Sequence, residues 1–523
     1  MRLKGDVRAF ALAFGVSAAT ALAQTPSSPS PAAPGYSPLV AGGPIVGDAS
    51  GAPRIASAEL SPADRVLPIN LATALRLADA RPLLIQAAEA AVTTEFGRLQ
   101  QARALWLPSL NLGANYTRHD GAAQSLAEGR VVSNSRNEFL LGVGPRAIFA
   151  LTDAIYAPLV AEQVVRAREW DVQAARNDAL LDVAEAYFLV QESRGRLAGL
   201  QDVVEKARGL EERIDRLGKD LAPPFEVERA RTTQAEFEQQ LARARRDWRI
   251  ASARLTRVLR LNPTAVAEPL EPPQLKVTLI PPSEPVDNMI PVALTQRPEL
   301  SSQQAIVQAT LAALRRERMR PLIPSLVLEG SAVPGQRLAG GLYAAGPNSS
   351  LGQATSRSDI NLQIFWEFQN LGFGNRGRVT EARGEQARAL IELFRVQDRI
   401  AEEVAQVHAE LESATTELAK AEAGLRSAQI SYEGNFRGLS ETIRQGDILV
   451  LVSRPLDAVA ALLQLQQAYS NYYIAVNQYN RAQFRLFRAL GYPANMLACS
   501  DAVGPVQPVD TSRPPPLPTI PEP

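Results

Sequence analysis

From about Ile155 to Leu217 the chain runs roughly 60 residues with one proline, Pro158, in a composition dominated by Ala, Leu, Arg, Glu and Gln. A helix of that length spans about 90 Å, which is longer than any ordinary globular core. It must therefore pack lengthwise against other helices. The segment that follows supplies a partner. Ala230, Phe237, Ala244, Ala251 and Val258 recur at intervals of seven, interleaved with Leu241, Trp248 and Leu255, the spacing of a coiled-coil seam. A second such seam comprises Ala461, Ala468, Ala475, Ala482 and Ala489 with Leu465, Tyr472, Tyr479 and Leu486. Small residues in one seam let two helices approach closely.

The two seams belong to two copies of one unit. Arg81-Pro82 is matched by Arg297-Pro298, and Leu107-Pro108-Ser109-Leu110 by Ile323-Pro324-Ser325-Leu326, both at an offset of 216. Arg216-Leu217-Gly218 pairs with Arg444-Gln445-Gly446 at 228, and Glu226 with Asp457 and Leu259 with Leu490 at 231. The growing offset implies about 15 extra residues in the second copy, in at least two places. Each copy reads helix (about 70–104; 288–318), strand, loop, strand, very long helix, turn, helix.

The strands, at about 108–118, 137–149, 324–333 and 358–368, alternate with period two. Leu110, Leu112, Ala114 and Tyr116 share one side, with Asn111, Gly113 and Asn115 on the other; Ile360, Leu362, Ile364, Trp366 and Phe368 alternate with Asn361, Gln363, Phe365 and Glu367. A half-buried hairpin on a soluble core would give such a pattern. Three features favour membrane strands. Nine to eleven residues cross a bilayer when tilted, Trp106 and Trp366 stand at the helix-side ends where an aromatic girdle sits, and the N-terminus carries an export signal.

That signal comprises Arg2, Lys4 and Arg8 before an apolar run from Ala9 to Ala23, too short to span a bilayer. Cleavage is expected before Gln24, giving a signal peptide at 1–23. Residues 24–64 read as a flexible Pro/Ser/Ala-rich leader, 65–262 as the first repeat, 263–287 as a Pro-rich linker, 288–495 as the second repeat and 496–523 as a Pro-rich disordered tail. The 55 basic and 55 acidic residues balance, so no net field recruits nucleic acid. One cysteine, Cys499, and two histidines, His119 and His408, are too few for a disulfide framework or a Cys/His metal site; all three are read as incidental. With no nucleophile–base pair and no phosphate-cradling loop, neither an enzyme nor a cofactor is expected.

Two strands per copy give four per chain. Four cannot close a barrel, and an open edge is not tolerated in lipid, so several chains must contribute. The ordered set of duplicated helix, L-P-S-L strand opening, hairpin, long helix, R-x-G turn and final YNRAQFRLFRALGYP (Tyr479 to Pro493) resembles the TolC-like outer-membrane efflux proteins, over about residues 67–495. The resemblance implies a mainly α fold with a small β part, built as a homotrimer. Its α-barrel tunnel would continue into a twelve-stranded transmembrane β-barrel in outer-membrane lipid of a Gram-negative-type bacterium, with a long periplasmic extension. It also implies a passive duct in tripartite efflux or type I secretion, docked to a periplasmic adaptor and through it to an inner-membrane pump of RND, ABC or MFS type. The competing reading is a periplasmic coiled-coil scaffold or adaptor without a barrel.

By the same resemblance, Arg216, Gly218, Arg444 and Gly446 mark adaptor-docking tips. From the residues alone they read as helix stops, with glycine taking the left-handed position. Asp457 and Glu226 are candidate pore-entrance acids, although a carboxylate in a first helical turn is also ordinary helix-start chemistry. The family pattern L-D-x-L-D-A is half kept, since Ala460 stands where the second acid would be.

Overall fold

The computed structural model describes residues 65–80, 83–124, 129–217, 223–329, 340–347, 351–445 and 448–492. The expected signal peptide, leader and tail, with Arg81, Gly218, Gly446 and Cys499, lie outside them.

Each repeat opens with two helices separated at a proline: α1 (Leu71–Ala80) and α2 (Leu83–Arg103) in the first, α5 (Val286–Gln296) and α6 (Pro298–Met319) in the second. Pro298 sits at the first position of α6, where its missing N–H costs nothing. The sequence reading had one helix at each place. The long helices are α3 (Leu151–Arg216) and α7 (Phe373–Gly438), 66 residues each, or about 100 Å. The returning helices are α4 (Pro224–Val258) and α8 (Pro455–Ala489), 35 residues each.

The long helices pack in a row. α4 lies on α3, α3 on α8 and α8 on α7, while α4 and α8 barely meet. The heptad residues form the seams: Ala230, Phe237, Trp248 and Leu255 of α4 are buried, as are Ala461, Leu465, Tyr472 and Leu486 of α8. Where α3 meets α8 the close approach is absolute. A Cβ on Gly195 would lie 2.4 Å from the Tyr473 ring, and one on Gly199 3.0 Å from Tyr469.

One sheet caps one end of the long helices. β2 (Ser109–Gln124) pairs antiparallel with β3 (Val131–Ala150), so both strands run beyond the expected 108–118 and 137–149. In the second repeat β5 (Ser325–Glu329), β6 (Gly340–Pro347), β7 (Gln353–Ser358) and β8 (Asn361–Phe365) stand in place of the two strands expected at about 324–333 and 358–368. The register shows why two became four. β5 and β6 both pair with β3, end to end, and β8 and β7 pair with them in the same order. Residues 330–339 separate β5 from β6 where β3 has only 144 and 145, so one ribbon is written as two strands by an insertion. The sheet thus has four ribbons, with β2 at one edge and β7/β8 at the other.

The segment between the repeats is firmly placed, which composition alone did not suggest. β4 (Ala265–Pro269) pairs in parallel with β1 (Arg65–Ile69), and Trp248 Nε1 donates to Ala267 O at 3.0 Å. Further on, amides of α8 act as the missing neighbouring strand. Asn480 Oδ1 accepts from Val277 N at 2.8 Å, and Gln483 Oε1 accepts from Leu279 N and Ile280 N at 3.0 and 2.9 Å. His408 Nε2 lies 3.0 Å from Glu284 O, so this histidine has a structural place and is not incidental.

Candidate functional site

At the sheet end, Trp106 closes a 3-10 turn before β2 and Trp366 follows β8 directly. The registers Ser109 with Arg146, Ala150 with Ser325 and Ser325 with Phe365 bring both to the helix side of the sheet. Both are about half exposed, at 48% and 54%. Leu110, Leu112 and Tyr116 on β2, and Ile360, Leu362 and Ile364 along β8, are also exposed. The apolar side of the sheet therefore faces outward from the chain rather than into a core.

The second-repeat junction carries a feature absent from the first. β3 passes straight into α3 at Ala150–Leu151, whereas Trp366–Gly372 intervene between β8 and α7. Within that insert Asn370 and Leu371 hold positive φ of 48° and 57°, a conformation that asparagine tolerates and a bulky leucine seldom adopts. Asn375 Oδ1 accepts from Gln369 N at 2.8 Å and fixes the turn.

At the opposite end, α3 stops at Arg216, whose Nε donates to Glu212 O at 3.0 Å, so the arginine part of the helix-stop reading holds there, while Gly218 lies outside the described residues. It does not hold for Arg444. α7 ends earlier, at Gly438, and Arg444 lies in a small hairpin of β9 (Thr442–Gln445) and β10 (Ile448–Leu451). The residue at the helix end equivalent to Arg216 is Gly438. A Cβ there would meet Ser453 Cβ at 2.8 Å, and Ser453 N donates to Gly438 O at 3.2 Å. Arg213 of α3 donates to Ser440 Oγ and ties the two tips together.

Glu226 and Asp457 occupy matching places, the third residue of α4 and of α8. Each carboxylate already has a cation. Glu226 accepts from Arg229 at 3.0 Å, and Asp457 accepts from Arg454 Nε at 3.2 Å and, in a capping box, from Arg454 N at 3.4 Å. Asp457 is the more exposed of the two. Among the described residues no group of three or more His, Cys, Asp or Glu is placed to hold a metal ion, and no helix is long and apolar enough to cross a membrane.

The family model for outer membrane efflux protein matches residues 74–259, within the first repeat; the second repeat has the same order of helices, and its two longest helices match those of the first in length. This chain is similar to the outer membrane efflux protein family over that first repeat. It is an outer-membrane protein. Solved structures with the same fold include the open state of the Neisseria gonorrhoeae MtrE outer membrane channel, with TM-score 0.62, 16% identity, and coverage of 88% of this chain and 98% of that one. The Vibrio cholerae outer membrane protein VceC aligns with TM-score 0.62 and 16% identity over 81% of this chain and 96% of that one. The Campylobacter jejuni CmeC outer membrane channel gives TM-score 0.61 and 16% identity over 81% and 85%. No curated protein sequence matches.

In this chain two clusters escaped residue-by-residue reading. The first is an ion lattice around Arg297, which is 3% exposed. It binds Glu299 at 2.8 Å and Glu403 at 2.5 Å, while Arg488 reaches Glu299 at 2.9 Å, Glu403 at 2.6 Å and Asp178 at 2.7 Å. Burial alone would raise the Glu299 carboxyl, but hydrogen bonds and charge from Arg297 and Arg488 hold it below the ordinary carboxylate range. The second cluster ties three helices near the tips. Tyr469 donates to Asp202 at 2.9 Å, Gln429 donates to Tyr469 Oη at 3.2 Å, and Tyr432 donates to Lys206 O at 3.3 Å. Burial first, then the Asp202 charge, pushes the Tyr469 hydroxyl up, so it stays a donor. The signal for the first cluster was visible in the family-like stretch from Tyr479 to Pro493. Its Asn480 and Gln483 hold the inter-repeat segment, and Arg481, Arg485 and Arg488 reach Glu185, Glu410 and the lattice.

Proposed function

We propose that this efflux protein is a passive duct: three copies close a twelve-stranded barrel in the outer membrane and continue as an α-helical tunnel into the periplasm, docked to an adaptor and an energised inner-membrane pump. The observation that carries this reading is a sheet of four ribbons among the described residues, whose outer strands β2 and β7/β8 pair with a strand on one side, with an exposed apolar face, set on helices about 100 Å long. Unpaired edges in lipid leave backbone N–H and C=O groups without partners, at several kcal/mol each. Edge-to-edge closure with further copies removes that cost, and three fours give a barrel size found in outer membranes. The duct conducts by geometry alone, which makes an enzymatic role unnecessary.

At the periplasmic end, Asp457 and Glu226 ring the entrance in our reading, three of each. Because Arg454 and Arg229 already neutralise them, the ring gives only a weak cation preference. The test is the native mass of the detergent-extracted outer-membrane fraction, followed by planar-bilayer conductance. A trimer whose cation preference changes little in Asp457→Asn and rises in Arg454→Gln is expected. A soluble monomer, or a trimer that never conducts, would overturn the duct.

A further inference from the structure

The row of long helices has two outer members, α4 and α7, and their free faces carry opposite charge. Between residues 242 and 257 every exposed charged side chain of α4 is an arginine. Arg243, Arg246, Arg254 and Arg257 follow at spacings of three, eight and three, which puts them on one face, away from the buried Ala244, Trp248, Ala251 and Leu255. Arg246 pairs with its neighbour Asp247 at 2.8 Å; Arg243, Arg254 and Arg257 have no ion pair among the described residues. On α7 between 402 and 416 the exposed charged residues are Glu402 and Glu412, also without an ion pair, flanking the exposed small residues Ala405 and Ala409. They point away from Val404, Val407 and Leu411, which are buried in the row.

The two faces stand at one height. Asp182 of α3, raised by burial and by Glu185 and Asp178, has Arg254 and Arg257 as its neighbouring positive charges. One turn along, Glu185 pairs with Arg485 at 2.6 Å, and Arg485 with Glu410 at 3.3 Å. Rotation about a ring axis keeps height, so it would bring the arginine face of one copy beside the glutamate face of the next.

We infer that the ring of copies closes through a head-to-tail contact in which Arg254 and Arg257 of α4 meet Glu402 and Glu412 on α7 of a second copy. This rests on the duct reading and specifies its joint. Ala405 and Ala409 let the helices come close, and the charge pairs set height and direction, so that a heterologous contact closes into a ring instead of an open filament.

Charge exchange tests it. Arg254→Glu with Arg257→Glu is expected to lower the trimer fraction by about tenfold, because like charges then face each other, as measured by native mass of the extracted protein. Adding Glu402→Arg and Glu412→Arg to the same chain is expected to restore it. Circular dichroism of each variant controls for folding, since all four positions are exposed. As a second readout, in a Cys499→Ser background, Arg254→Cys and Glu412→Cys placed on separate chains are expected to form a disulfide-linked dimer only when coexpressed. An unaffected trimer in the arginine-reversed chain, or failure of the fourfold exchange to restore assembly together with no mixed disulfide, overturns the contact. A wild-type monomer would instead overturn the duct.

Discussion

The two repeats keep their helices and differ at the ends of them. α3 and α7 have 66 residues each, α4 and α8 have 35 each. The additions sit where helix meets sheet, at Trp366–Gly372, and where the helices turn, with 16 residues at 439–454 against seven at 217–223. A change of length inside one helix would break the register of the whole row, because each seam residue meets a partner at fixed height. Insertions at the ends shift nothing between them.

The largest expected difference concerns the ion lattice of the second repeat. Arg297→Met should cost about 3 kcal/mol in chemical unfolding, because Glu299 and Glu403 keep only Arg488 of their two cations. Wild-type stability should also fall on acidification. The Glu299 pKa is depressed in the folded state, so its contribution is full above the ordinary carboxylate value of 4.5 and is lost as pH falls through the folded value. A variant as stable as wild type would show the lattice to be decorative.

Next comes the notch on α3. Gly195→Ala should cost about 1–3 kcal/mol by crowding Tyr473. The matching turn of α7 carries Glu417 and Ala421 where α3 has Gly195 and Gly199, so Ala421→Gly should cost only the helix-propensity difference, about 1 kcal/mol. Equal losses at both sites would show that the tight crossing is not confined to the first repeat. Smallest is the tip. Replacing 439–454 by a connection as short as 217–223 should change the unfolding free energy by less than about 1 kcal/mol, since closure entropy varies slowly with length. A larger loss would mean that the β9–β10 hairpin supports the helices it joins.

The helices and the alternation of the strands were legible because periodicity is written into every turn and every pair of residues. The positions of the insertions were not. Arg444-Gln445-Gly446 was matched to Arg216-Leu217-Gly218 by its letters, but a three-residue motif carries no register, and the helix it was thought to end stops six residues earlier, at Gly438. The inter-repeat segment was read as a linker because prolines break periodicity. Its order comes from Asn480, Gln483 and His408, more than 100 residues away along the chain. The lattice partners of Arg488, though not the arginine itself, were hidden for the same reason, as Arg488 and Asp178 lie 310 residues apart.

The parallel pairing of β1 with β4 sets an order of events. Among the described residues, Arg65–Ile69 have their only strand partner at Ala265–Pro269, so backbone that leaves the export machinery early must wait for some two hundred further residues before it can settle. In an exported chain this ties the beginning to the far end of the first repeat, which is sealed only when the segment after α4 has emerged.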